Sequence, residues 1–122
     1  MARKSAFRDR VTKVISSAGL GIVRSEPVER DKVYCWQQIV WQINKVLADG
    51  DSRVRLYLEG HGYKHYLEGW KPVDADTLYS YNEDVWLVPG ESIALELSNN
   101  QATTTVGINM TGYWTDRSEG IA

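Results

Sequence analysis

The sequence predicts an all-β domain, an antiparallel β-sandwich or jelly roll, with an N-terminal arm that has room for a short helix. Three observations carry this. From Val85 to Trp114, apolar residues alternate with small or polar ones, the period-2 pattern of strands with one buried face. Turn signals such as Gly60-His61-Gly62, Pro89-Gly90 and Asn99-Asn100 cut the chain into short segments. The aromatics are five Trp and seven Tyr against one Phe, side chains that suit strand surfaces and interfaces because they join an apolar body to a polar edge.

The elements follow in order. Residues 1–17 place Phe7, Val11, Val14 and Ile15 on one face at helical spacing, with Arg8, Arg10 and Lys13 outside the stripe, so a short helix that needs a partner surface is expected. Ser16 to Gly21 reads as a hinge, and the charged run Arg24–Lys32, which contains Pro27, as an extended linker. Residues 33–47 fit two periods. As a strand, Val33, Cys35, Ile39, Trp41 and Ile43 share a face; as a helix, Trp36, Ile39, Val40, Ile43, Val46 and Leu47 do. The strand is favoured, because Val-Tyr-Cys-Trp and Ile-Val-Trp are rich in β-formers.

Ala48–Asp51 is a turn. Arg53–Glu59 then alternates with Val54, Leu56 and Leu58 inward, and Gly60-His61-Gly62 turns it back into a strand over 63–67. Residues 69–76 read as an irregular connection holding Trp70. Short strands follow at 77–81 and 85–88. Pro89-Gly90 suits a tight turn, since Pro presets one dihedral and Gly permits a positive one. Strands over 92–97 and 103–114 complete the set, the last with Thr104, Val106, Ile108, Met110, Gly112 and Trp114 on one face. The expected organisation is a basic arm and linker at 1–32, a sandwich at 33–115 and a tail at 116–122.

Composition bounds the function. At 122 residues the chain can bury a core without disulfide or metal staples, and its single cysteine, Cys35, is expected as a small buried residue. No apolar run approaches the ~20 residues of a membrane-spanning helix, and the basic N-terminus lacks the apolar core of a signal peptide. Net charge is −2, but residues 1–24 hold six Lys/Arg against one acid, while the remainder holds eight against fifteen.

Motifs for chemistry are sparse. His61 and His65 are the only histidines and need not converge, so no zinc site is expected. Asp74, Asp76, Glu83 and Asp84 could in principle supply a glycosidase-like carboxylate pair, but such acids are ordinarily solvated loop charges. There is no Gly-x-Ser-x-Gly, P-loop or Gly-x-Gly-x-x-Gly. The chain is therefore expected to be no enzyme and to take no cofactor or metal. Basic residues without interleaved aromatics make a poor nucleic-acid signal, so nucleic acid is not an expected partner.

Three segments carry a resemblance: 53–67 (RVRLYLEGHGYKHYL), 84–97 (DVWLVPGESIALEL) and 106–114 (VGINMTGYW). Together they resemble small jelly-roll virion proteins of tailed bacteriophages, in which a Leu-x-Pro-Gly-acid turn leads into an apolar strand and the chain closes on a Gly-Tyr strand. The resemblance covers about residues 33–114. It implies a structural virion protein, a capsid decoration or cement subunit, located in the virion after assembly in the host cytoplasm. Its implied partners are the major capsid protein or other virion subunits and further copies of itself, with a trimer favoured and no membrane. Expected contact residues are Arg3, Lys4, Phe7, Arg8 and Val11 in the arm and Trp70 beside Gly69. The alternatives are a connector or tail component, and a carbohydrate- or receptor-binding module using Trp70, Trp86, Tyr63 and Tyr66.

Overall fold

A computed structural model describes residues 5–47, 52–71 and 73–116. Among the described residues nine strands form: β1 (Ser5–Ile15), β2 (Gly19–Arg24), β3 (Lys32–Ile43), β4 (Val54–Gly60), β5 (Tyr63–Trp70), β6 (Tyr79–Tyr81), β7 (Val85–Leu87), β8 (Ser92–Asn100) and β9 (Thr104–Asp116). One sheet has the order β1-β9-β3, with β6 and β7 both paired to the far side of β3; the other has the order β2-β8-β4-β5. All pairings are antiparallel.

The pairs are nested: β1 with β9, β2 with β8, β3 with β6 and β7, β4 with β5. This is one long hairpin rolled into two sheets, the jelly-roll arrangement, with its sixth strand broken in two at Asn82-Glu83-Asp84. The predicted all-β sandwich is therefore correct.

Local chemistry explains the turns. His61 (φ 52°) and Gly62 (φ 83°) both take positive φ, as a two-residue type I′ hairpin between β4 and β5 requires. Gly90 takes φ 88° after Pro89, and the Glu91 amide donates to the Val88 carbonyl at 3.1 Å, closing a type II turn before β8. The linker after β2 is held against β8: the Ser25 amide donates to Ile93 and the Val28 amide to Glu91, both at 2.9 Å.

The strand reading of residues 33–47 holds over Lys32–Ile43, but one residue changes its faces. A bulge between Trp36 and Gln38 inserts Gln37 into the register with β9. After it, Ile39, Trp41 and Ile43 point into the core as expected. Before it, the inward residues are Tyr34 and Trp36, while Val33 and Cys35 turn to the outer side of the sheet and are still fully buried there. The core between the sheets is built on Trp36, Ile39, Trp41, Leu56, Leu87, Ile93, Leu95, Leu97, Ile108 and Met110. Trp41 stacks on Tyr79 at 4.7 Å and meets the edge of Trp70 at 5.1 Å, which ties β3 and β6 to β5 of the opposite sheet.

The N-terminal expectation is overturned. Residues 5–15 form no helix; β1 pairs with β9 residue by residue from Ser5↔Trp114 to Ile15↔Thr104. The apolar residues obey period 2, with Ile15 in the core cluster, Phe7 and Val11 packed against it, and Val14 outward and 56% exposed. The expected hinge is where β2 begins, and Val23 is wholly buried. Helical spacing and strand spacing coincide at Phe7, Val11 and Ile15, and pairing with β9 decides between them. The arm and linker expected over 1–32 thus contribute two strands to the sandwich. Trp70 is likewise the last residue of β5, not part of a loop. Asn99-Asn100 belongs to β8, and the turn lies at Gln101–Thr103, where the Thr104 amide and hydroxyl both donate to the Gln101 carbonyl. The tail over 117–122 and the turn at 48–51 lie outside the described residues.

Candidate assembly interface

The outer face of the β1-β9-β3 sheet carries basic, amide, hydroxyl and apolar side chains. Register places its residues in rows. Thr12, Gly107 and Gln42 form one, then Arg10, Asn109, Val40 and Ser80, then Arg8, Thr111 and Gln38. Gly107 carries no side chain, so the middle of the face is hollow. A trough of about 530 Å³ lies there, bordered by Arg10, Thr12, Val40, Gln42, Leu78 and Asn109. The Asn109 Oδ1 is buried and accepts no hydrogen bond. Leu78 stands 67% exposed at the rim.

Further along the face, Cys35 lies between Tyr113 on β9 and Trp86 on β7. The two rings meet edge to face at 5.7 Å. Burial, and a hydrogen bond with Cys35, hold the Tyr113 phenol above its ordinary value. Trp86 remains 48% exposed. This aromatic patch was not legible as a unit in the sequence, because only the shift of parity at Gln37 turns Cys35 toward Trp86.

The outer face of the other sheet answers its own charges. Arg24 pairs with Glu59, the Tyr57 hydroxyl donates to Glu96 at 2.8 Å, and Lys64 lies over the Tyr57 ring at 5.4 Å. At one end of the sandwich the buried Glu91 carboxylate accepts the Val88 amide at 2.8 Å and the Tyr63 hydroxyl. That bond raises the Tyr63 phenol above its ordinary value, with burial adding to it. It locks the Pro89-Gly90 turn to the β4–β5 hairpin, a structural role.

The predicted contact residues separate. Arg3 and Lys4 lie outside the described residues. Phe7 and Val11 are partly buried and pack against the core, Phe7 between Tyr34 at 5.0 Å and Trp36 at 5.2 Å. Arg8 is exposed on β1. Trp70 is half-buried against Trp41 and Tyr79, which removes it as an exposed anchor. The aromatic strip of Trp70, Trp86, Tyr63 and Tyr66 does not form one surface, since Trp86 belongs to the β1-β9-β3 sheet and the other three to β5.

The histidines do not converge on a ligand site. His61 Nε2 lies 2.8 Å from the Pro89 carbonyl, and His65 is exposed on β5. Among the described residues, no group of three His, Cys, Asp or Glu is arranged to hold a metal ion. Asp74, Asp76, Glu83 and Asp84 are all exposed along the segment that runs beside β3, two before β6 and two between β6 and β7.

No family model matches the chain, and no curated protein matches it. Among solved structures the chain is similar to one described as Bacillus endospore appendages forming a family of disulfide-linked pili, at 10% identity and TM-score 0.49, over 95% of this chain and 90% of that one. It is also similar to the crystal structure of FLHE, at 10% identity and TM-score 0.44, over 89% and 96% of the two chains. A third is infectious bursal disease virus, Gt strain, at 11% identity and TM-score 0.34 over 93% of this chain; this chain matches 32% of the viral one. Likenesses this distant identify no family for the chain.

Proposed function

We propose that this protein is a structural subunit of a virion, of the capsid decoration or cement type, which binds the shell or neighbouring subunits through the outer face of the β1-β9-β3 sheet. One observation carries the reading. That face leaves Trp86, Leu78 and Val14 exposed around a floor of amides, hydroxyls and arginines, whereas the opposite sheet, which also exposes Leu20 and Tyr66, pairs Arg24 with Glu59 and Tyr57 with Glu96. Aromatic and Arg side chains beside uncharged polar groups are the composition of protein interfaces. The rolled sandwich supplies a rigid platform for them, as assembly needs. Mass spectrometry of purified particles tests this. The protein in fixed stoichiometry with the capsid protein supports it; a protein found only in the unassembled fraction contradicts it.

A second reading, glycan binding, is favoured by the trough alone. Asn109 Oδ1, Gln42, Thr12 and Arg10 line a hollow beside the apolar Leu78 and Val40, a mixture of hydrogen-bonding and apolar groups that suits a sugar ring. A glycan array separates the two readings, and an Asn109→Ala variant that abolishes a glycan signal would favour the second.

A further inference from the structure

The four edges of the two sheets are not equivalent. An open edge presents unpaired backbone amides and carbonyls, and proteins ordinarily blunt it with bulges, short strands or charge. The β2 edge is six residues long and irregular between Gly19 and Gly21. The β5 edge is irregular at Leu67, which has no register partner between Tyr66 and Glu68. The β6–β7 edge consists of two three-residue strands. Only β1 is long and unbroken, with eleven consecutive register pairs to β9.

The two edges of the β1-β9-β3 sheet also carry opposite charge. On β1, Arg8, Arg10 and Lys13 are exposed against the single acid Asp9. The opposite edge, residues 73–89, holds Asp74, Asp76, Glu83 and Asp84 and no Lys or Arg. All four acids are exposed. The ion pairs Arg24–Glu59 and Lys32–Glu29 involve none of these edge residues. Each edge also keeps an exposed apolar side chain, Val14 on one and Leu78 on the other.

We propose that copies of this chain associate head to tail, the basic β1 edge of one copy pairing with the acidic β6–β7 edge of the next to continue the sheet. The occupant of the β1 edge is thus a second copy, chosen by charge. Pairing of β1 with β1 about a two-fold axis brings two basic edges together and is opposed by like-charge repulsion. Strand direction permits the head-to-tail contact. Three successive antiparallel pairings, β1 to β9 to β3 to β6, leave β6 antiparallel to β1, so a neighbour in nearly the same orientation extends the sheet with antiparallel pairing. The register that sets Val14 opposite Leu78 brings Arg8 level with Asp84. A heterologous contact of this kind closes into a ring if the rotation per subunit allows, and otherwise grows as a filament. The inference rests on the assembly role proposed above and specifies how its copies meet.

Sedimentation equilibrium of the full chain tests it. Wild type is expected to associate at low salt and to dissociate as ionic strength rises from about 50 to 500 mM. The double variants R8E/R10E and E83K/D84K, which alter exposed side chains only, are each expected to associate at least about tenfold more weakly. An equimolar mixture of the two restores association, because each variant then offers the complement of the other. A Val14→Cys variant mixed with a Leu78→Cys variant is expected to form a disulfide-linked heterodimer under oxidation, a readout that does not depend on the charge variants folding. A wild type that stays monomeric, reversals without effect, a mixture that stays apart or an absent cross-link each overturn edge pairing. A chain found in purified particles but monomeric when free would overturn this inference and leave the structural role intact. A self-associating chain absent from particles would do the reverse.

Discussion

Trp41 shows how much one residue of this core does. It is wholly buried, stacked on Tyr79 and edge-on to Trp70, so Trp41→Ala removes contacts with both sheets and leaves a cavity. A loss of about 3–5 kcal/mol is expected, read by urea or guanidinium unfolding. Gly112 is constrained in another way. A Cβ there would overlap the Cys35 carbonyl, a backbone atom that cannot give way. Gly112→Ala is expected to destabilise by about 1–3 kcal/mol or more, whereas Gly107→Ala, which meets nothing within 4 Å, leaves the unfolding midpoint nearly unchanged. Four phenols bear on alkaline stability. Tyr34, Tyr81 and Tyr113 are raised chiefly by burial and Tyr63 chiefly by its bond to Glu91. A raised phenol keeps its proton longer in the folded state, so its contribution is intact below the unfolded value near 10 and declines as pH rises through the folded one. The melting temperature is expected to fall above about pH 10, in step with ultraviolet titration of the tyrosines, and a melting temperature level through that range contradicts it. At this scale the sequence was partly readable: Cys35 is buried as its apolar neighbours implied, but it faces out of the core because Gln37 shifts the register.

Among the elements, β4, β8 and β9 were the most readable, since each has a strict alternation bounded by a turn whose residues dictate its type. The β3 segment was readable as a strand but not as two half-faces, because a bulge leaves no mark in a period-2 pattern except a run of consecutive apolar residues, here Val33 to Trp36. The first strand was not readable at all. Its inward positions alternate apolar with charged, Phe7, Asp9, Val11, Lys13 and Ile15, and only the partner strand β9 makes a strand of them. The consequence is testable. Removing residues 1–24 takes away β1 and β2, uncovers β9 and β8 and strips Ile15 and Val23 from the core. The truncated chain is expected to be unfolded or aggregated by circular dichroism and light scattering, and a soluble, cooperatively melting product would show that the two strands are dispensable.

For the whole molecule, the uneven charge acquires a place. The basic N-terminal region and the acidic segment around Asp74–Asp84 are far apart in the sequence, yet they form the two edges of one sheet. Both runs were visible as composition; their positions were not, since topology alone assigns them to opposite edges. The same holds for the outer face, whose residues come from β1, β3, β6 and β9 and are neighbours only by register. Of the two outer faces, the one built on β1, β9 and β3 combines a hollow, exposed arginines and an exposed tryptophan, which suits a subunit that binds through that side. Quantitative mass spectrometry of particles purified from cells that express this chain tests the proposed virion role most directly. A copy number in fixed, symmetry-compatible ratio to the capsid protein is expected; particles that lack the chain while it accumulates in the unassembled fraction would contradict that role.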